Sequence, residues 1–187
     1  GLRWSAWAPA QTFSPGTGDA SPELLTNPGA EDGVAGWEVV AGNLESVGDG
    51  ECGGVSPYAG LQYFAVGGLC DGEAYGEAIQ AVTDLEGYLE AIDTGAARAR
   101  VSGWLSDWSG SDIPSVWLRF RDVDGDLLGE SEEMSAAVAD WTQVMDEPLI
   151  PAGTRRIDVV LTGERHAGFD NDSYADSLSL RVFYCAE

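Results

Sequence analysis

From Glu23 onward, apolar residues come in short runs or alternate with polar ones, and Gly, Pro, Asn and Asp interrupt them at short intervals. Successive side chains of a strand point to opposite sides. Over residues 115–122 this puts Val116, Leu118 and Phe120 on one face and Trp117, Arg119 and Arg121 on the other. Val101 and Leu105 share a face opposite Ser102, Trp104 and Ser106. Ile157, Val159 and Leu161 form the apolar face of a further segment, and Leu178, Leu180 and Val182 that of the last. The pattern predicts strands over residues 37–40, 61–66, 74–82, 97–106, 115–122, 127–131, 141–149, 155–162 and 174–184. Asp124-Gly125 supplies a hairpin turn, and Pro151-Ala152-Gly153 another turn. Helical periodicity is weak, with one short helical turn admitted over residues 131–138. No repeat of solenoid or propeller length is present. Short strands in such number within one domain imply an all-β fold, a two-sheet jelly-roll sandwich.

Residues 1–22 carry Pro9, Pro15 and Pro22 with several Gly and Ser and no sustained period. They read as a linker or irregular leader, with Trp4 and Trp7 available to dock on a domain spanning 23–187. Gly1-Leu2-Arg3-Trp4 lacks the basic and apolar regions of a signal peptide, and no apolar run is long enough to span a bilayer. The formal charge is −23, and all nine basic residues are arginine. That surface repels nucleic-acid phosphates and anionic membranes, so neither nucleic acid binding nor membrane insertion is expected. The acidity is spread along the chain, which suits a salty medium or attraction for divalent cations.

Cys52 and Cys70 stand in glycine-flanked loops that bracket the strand at 61–66, so a disulfide between them is sterically easy. Neither belongs to a CxxC pair or has histidines nearby, which weighs against zinc. Cys185 is left over. An oxidising, extracellular location follows.

Two segments near the ends of the chain carry further chemistry. One is Leu24-Leu25-Thr26-Asn27-Pro28-Gly29-Ala30-Glu31-Asp32-Gly33-Val34-Ala35-Gly36-Trp37, and the other is Asn171-Asp172-Ser173-Tyr174-Ala175-Asp176-Ser177-Leu178-Ser179-Leu180. Together they resemble the opening and closing strands of carbohydrate-binding modules with a galactose-binding-like β-jelly roll. The resemblance implies a structural calcium ion held by Glu31, the Gly29 carbonyl and Asp176, tying the first strand to the last. Ala30 departs from the aromatic or apolar residue frequent there, which bears on packing more than on coordination. Asp122-Val123-Asp124-Gly125-Asp126 lacks the spacing and terminal Glu of an EF-hand and reads as a decorated hairpin. Asp170-Asn171-Asp172 reads equally well as a second ion site or as a solvated loop.

A ligand face is expected from Trp104, Trp117, Arg119 and Arg121, with Trp108, Asp107 and Asp112 at its rim. Sugar C–H faces stack on indoles, and their hydroxyls suit guanidinium donors. The competing reading packs this face against a loop, with its arginines paired to surface carboxylates. Trp37 and Trp141 are expected in the core. His166 is the only histidine, and no GxSxG, HExxH or Cys–His motif is present. The expected function is a secreted, non-catalytic, calcium-stabilised module that binds a poly- or oligosaccharide within a larger protein. A structural or adhesive jelly roll is the first alternative, and a glycoside hydrolase using an unrecognised carboxylate pair the second.

Overall fold

Alternating side chains close this chain into two antiparallel sheets that bury their apolar faces against each other. The computed structural model describes residues 19–70 and 72–184. Its strands are β1 (Asp19–Ala20), β2 (Glu38–Ala41), β3 (Leu44–Gly48), β4 (Gln62–Val66), β5 (Tyr75–Val82) and β6 (Ala97–Ser106). They continue with β7 (Ile113–Arg121), β8 (Leu127–Glu130), β9 (Met134–Ser135), β10 (Thr142–Asp146), β11 (Arg156–Glu164) and β12 (Tyr174–Tyr184). One sheet has the order β10-β6-β12-β4-β3, with β1 also paired to β12. The other has the order β2-β5-β11-β7-β8, with β9 also paired to β7. A jelly-roll sandwich results, as the strand pattern predicts.

The core fills the space between the sheets. Val101, Leu105, Leu178, Leu180 and Val182 face Val116, Leu118, Phe120, Ile157, Val159 and Leu161, all buried. Each such side chain contributes about 1.5–3 kcal/mol relative to remaining in water. Trp37 joins this core and meets Phe64 edge-on at 5.4 Å between ring centroids. A short helix, α1 (Leu89–Asp93), adds Ile92.

A second, smaller cluster lies on the outer side of the first sheet: Val47, Tyr63, Ala65, Leu69 and Tyr174. The chain from 49 to 61 covers it, together with Trp141. Trp141 is therefore half-buried in this outer cluster rather than in the central core, and its indole N–H donates to the Ser56 carbonyl at 2.9 Å. Burial on both faces also explains why β3 escapes the sequence pattern. Leu44 enters the central core and Val47 the outer cluster, so the period-2 signature is lost.

β12 serves both clusters because its register slips between Asp176 and Ser179, with Ser177 at φ +47°. The bulge reverses the alternation, so Tyr174 points outward and Leu178 inward.

Three boundaries differ from expectation. Asp19 and Ala20, placed in the leader by the sequence, pair with Tyr184 and Phe183, and Ser21 N donates to the Val182 carbonyl. The sheet thus begins before residue 23. Residues 134–135 add to β7 instead of forming a helical turn, since Met134 pairs with Val116. α1 was not anticipated, being too short for a helical period to register. Trp4, Trp7 and Cys185 lie outside the described residues.

Cys52 and Cys70 are disulfide-bonded, 18 residues apart. The bond fastens the start of the covering segment to the β4–β5 connection, over the outer cluster. Replacing both cysteines by serine should lower stability by about 3 kcal/mol, the loop-closure value for a loop of this length. Denaturant titration checks this, and an unchanged midpoint would show that the cover stays in place without the bond.

Candidate functional site

One end of the sandwich is built by the β6–β7 loop, the β11–β12 loop and the segment between β3 and β4. These enclose a cleft of about 460 Å³ lined by Trp108, Ser109, Ser111, Asp112, Phe169, Asp170, Asp172 and the Cys52–Gly53 turn. Its two aromatics are unusually exposed: Trp108 at 59% and Phe169 at 92%. Large apolar side chains left in water at the mouth of a cleft are what a stacking ligand uses.

Two buried carboxylates shape the loops. Asp107 accepts the backbone N–H groups of Ser109, Gly110, Ser111 and Asp112, folding the loop around itself. Asp112 accepts N–H groups from His166 at 2.7 Å, Ala167 at 3.1 Å and Asp172 at 2.9 Å, joining the Trp108 loop to the Phe169 loop. Charge-assisted bonds of this kind are stronger than neutral ones. Asn171, fully buried, donates to the carbonyls of Glu73 and Gly163, so its part in this acidic triplet is structural. Asp172 takes the Tyr174 hydroxyl at 2.5 Å. Burial holds its carboxyl above the usual range, and neighbouring Asp112, Asp170 and Asp107 push in the same direction.

The expected ligand set is divided by the fold. Trp104 lies on β6 in the first sheet, whereas Trp117, Arg119 and Arg121 lie on β7 in the second. They point away from each other on opposite outer faces, so the single face expected for them does not exist. Alternation gives the side of a strand but not which sheet it joins. On the first sheet, Tyr58 stacks on Trp104 with centroids 3.8 Å apart and planes 15° apart. On the second, Arg119 lies over Trp117 at 5.3 Å and reaches across β11 to Glu77, while also pairing with Glu130. Arg121 and Arg156 both pair with Asp158, which is fully buried beneath them. These guanidinium groups already have partners, as in the competing reading of that face. Trp108 alone of the five stands at the cleft. Phe169 was missed by sequence reasoning, although an aromatic after Gly168 in an acidic loop between strands is itself a signal.

Two of the residues assigned to calcium, Glu31 and Asp176, contact neighbouring residues of one loop. Glu31 accepts the N–H groups of Leu61 at 2.8 Å and Gln62 at 3.1 Å, and Asp176 accepts that of Ala59 at 3.0 Å. Both carboxylates therefore grip one short segment. A side chain at Gly60 would collide with the Glu31 carboxylate, and a Cβ on Gly29 would stand 3.4 Å from Asp176 Oδ1. Asp176 is fully buried, and among the described residues no cationic side chain pairs with it. Burial raises its carboxyl pKa, against the lowering effect of the Ala59 and Ser177 N–H groups. With the folded-state pKa above the unfolded one, the native state binds more protons between the two values, so this group's ionisation costs stability as pH rises.

No protein-family model matches the chain, and no curated protein matches its sequence. Solved structures are similar. A family 61 carbohydrate-binding module in complex with β-1,4-galactotriose is 19% identical, covering 86% of this chain and 98% of its own, with TM-score 0.55. A cyclase from Fischerella sp. TAU is 12% identical over 90% of this chain and 100% of its own, with TM-score 0.60. The enzymatically active domain of tailspike protein 4 from bacteriophage CBA120 is 13% identical over 84% of this chain, with TM-score 0.59. This chain spans only 21% of that domain. Carbohydrate-binding modules of families 16 and 22 are similar at 16–19% identity. At these identities the likeness establishes the fold: the chain has the two-sheet jelly roll of these carbohydrate-binding modules.

Asp112→Ala should lower stability by about 3 kcal/mol, since it strands several inward N–H groups at once. Amide hydrogen exchange at residues 166, 167 and 172 should accelerate selectively. Unchanged protection there would mean that Asp112 does not hold the two loops together.

Proposed function

We propose that this chain is a secreted, non-catalytic carbohydrate-binding module, stabilised by calcium, that takes its glycan in the loop-end cleft. The observation that carries this reading is the cleft with Trp108 and Phe169 exposed at its mouth. Indole and phenyl faces suit the C–H faces of a sugar ring, and the serines and carboxylates between them suit its hydroxyls. The cleft volume falls within the range of ordinary ligand pockets. Carbohydrate-binding modules among the structural neighbours support the reading through their fold. The disulfide is what an oxidising compartment favours. Among the described residues no helix is long and apolar enough to cross a membrane.

A hydrolytic reading is weaker because, of the cleft's three carboxylates, Asp170 alone has no hydrogen-bond or ion-pair partner among the described residues. Asp112 is saturated by backbone N–H groups, and Asp172 takes a tyrosine hydroxyl. A general acid and a general base or nucleophile both need free carboxyl groups.

Calcium would be held by Glu31 and Asp176 with the Gly29 carbonyl. A fully buried carboxylate without a paired cation, beside a second carboxylate on the same segment, suits a hard cation that prefers oxygen. Among the described residues no group of three His, Cys, Asp or Glu side chains stands ready for a metal, so backbone carbonyls would complete the set. The ion would neutralise charge that burial otherwise penalises.

Calcium at a hundredfold excess over its Kd should stabilise the fold by about 2.7 kcal/mol. Asp176→Ala should remove most of that gain. Equal melting temperatures in calcium and in chelator would refute the metal assignment.

Trp108→Ala and Phe169→Ala should each abolish glycan binding on an array while leaving the melting temperature nearly unchanged, because both side chains are exposed. Trp117→Ala should do the reverse, keeping binding and lowering stability by about 2 kcal/mol through lost burial. Binding lost in Trp117→Ala but kept in Trp108→Ala would move the site to the second sheet.

A further inference from the structure

The charges around the loop-end cleft bear on which class of sugar it accepts, and the inference drawn from them rests on the carbohydrate-binding reading above. Asp170 is exposed, lines the cleft, and its carboxylate has no hydrogen-bond or ion-pair partner among the described residues. Asp172 lines the same space and spends one oxygen on the Tyr174 hydroxyl. No arginine lines the cleft, and the chain has no lysine. Arg165, on the Phe169 loop, is turned instead to the backbone carbonyls of Gly72 and Phe169. Burial raises the carboxyl pKa of Asp172, and the nearby carboxylates of Asp112, Asp170 and Asp107 push it the same way.

An ionised carboxylate only accepts hydrogen bonds, so whatever meets Asp170 and Asp172 has to donate. A sugar hydroxyl donates once and carries no charge. An ammonium group donates three times and adds a charge-assisted bond. A uronate or sulfate would bring like charge into a half-enclosed anionic site, where screening is weak.

We propose that the cleft selects protonated amino sugars, with a hexosamine ring stacked against Trp108 and Phe169 and its ammonium group on Asp170 and Asp172. The aromatic lips supply affinity for any pyranose, and the two carboxylates supply the preference for the amine. Acidic polysaccharides are excluded by the same charges.

Calorimetric titration of the full chain tests this with three oligosaccharides of equal length: glucosamine, N-acetylglucosamine and galacturonate oligomers, below the amine's pKa. The glucosamine oligomer should bind about tenfold tighter than its acetylated counterpart, the equivalent of one charge-assisted contact. The galacturonate oligomer should not bind. High salt should close the gap between the first two, and so should Asp170→Asn combined with Asp172→Asn, which should weaken the glucosamine oligomer far more than the acetylated one. Asp170→Asn alone, at an exposed position, gives a partial effect that survives if the double variant does not fold. Asp122→Asn with Asp124→Asn removes the same formal charge at the hairpin on the opposite end of β7, and should leave the gap intact.

Three results overturn the proposal. The acetylated or acidic oligomer binds as tightly as the amine, Asp170→Asn leaves the ratio unchanged, or the hairpin variant closes the gap as well as the cleft variant does. In the last case the preference belongs to the overall charge of −23 rather than to the cleft. Binding of neutral sugars that Trp108→Ala abolishes, without any preference for the amine, removes this inference and leaves the carbohydrate-binding reading standing. No binding by any sugar removes both.

Discussion

The loops of this sandwich are anchored by carboxylates that accept hydrogen bonds from backbone N–H groups, and both candidate sites are built from such anchors. Glu23 takes the N–H groups of Leu24, Leu25 and Leu180, holding this stretch against β12. Glu45 takes those of Leu69 and Cys70. Asp107, Asp112, Glu31 and Asp176 do the same for the loops around the cleft and the proposed metal position. Loops leave backbone donors without ladder partners, and a buried donor without a partner costs roughly 1–3 kcal/mol. A carboxylate can satisfy two or three at once. Part of the acidity in the sequence is therefore internal bonding, not surface decoration.

That device links the two sites through shared chain. Cys52 and Gly53 line the cleft, and Ala59 to Gln62, in the following stretch, are gripped by Asp176 and Glu31. The segment from 49 to 61 is thus fixed at one end by the disulfide and at the other by two carboxylates. β12 makes the same connection from the opposite side, since Tyr174 bonds the cleft residue Asp172 and Asp176 lies two residues further on. An ion that settled the charge of Asp176 would steady the wall of the cleft without touching a ligand. The bulge at Ser177 makes this possible, because it lets one strand present Tyr174 and Asp176 outward before returning Leu178 to the core.

The inward faces of the central strands were legible because their core-facing apolar residues recur at every second position. β6, β7 and β11 keep that alternation through the core, and β12 keeps it beyond its bulge, over Leu178, Leu180 and Val182. β3 was not legible, since Leu44 and Val47 are buried on opposite faces. That Glu31 and Asp176 hold the same loop could not be read from spacing, as the two carboxylates lie 145 positions apart in the chain. The cleft was legible at Trp108 and Asp112, two of the rim residues expected from the sequence. Its other wall comes from a loop held in place by backbone bonds to Asp112, and no spacing in the sequence announces which N–H groups that carboxylate meets.

Aromatic residues on outer strand faces posed the hardest question, and their environments answer it differently. Trp104 is covered by the Tyr58 ring and Trp117 by the Arg119 guanidinium, so in each case the chain itself occupies the face a sugar would use. Displacing Arg119 would also break its pairs with Glu77 and Glu130 across a partly desolvated surface, where such pairs are less screened than in water. Trp108 and Phe169 have no such cover and stand over a cleft rather than a filled sheet. A tryptophan in a strand is held by its neighbours whether or not it has a ligand. One in a loop, left mostly in water, gains from burial only when something else arrives. That difference in what remains to be desolvated is why the proposed ligand site lies at the loop end of the sandwich and not on either sheet.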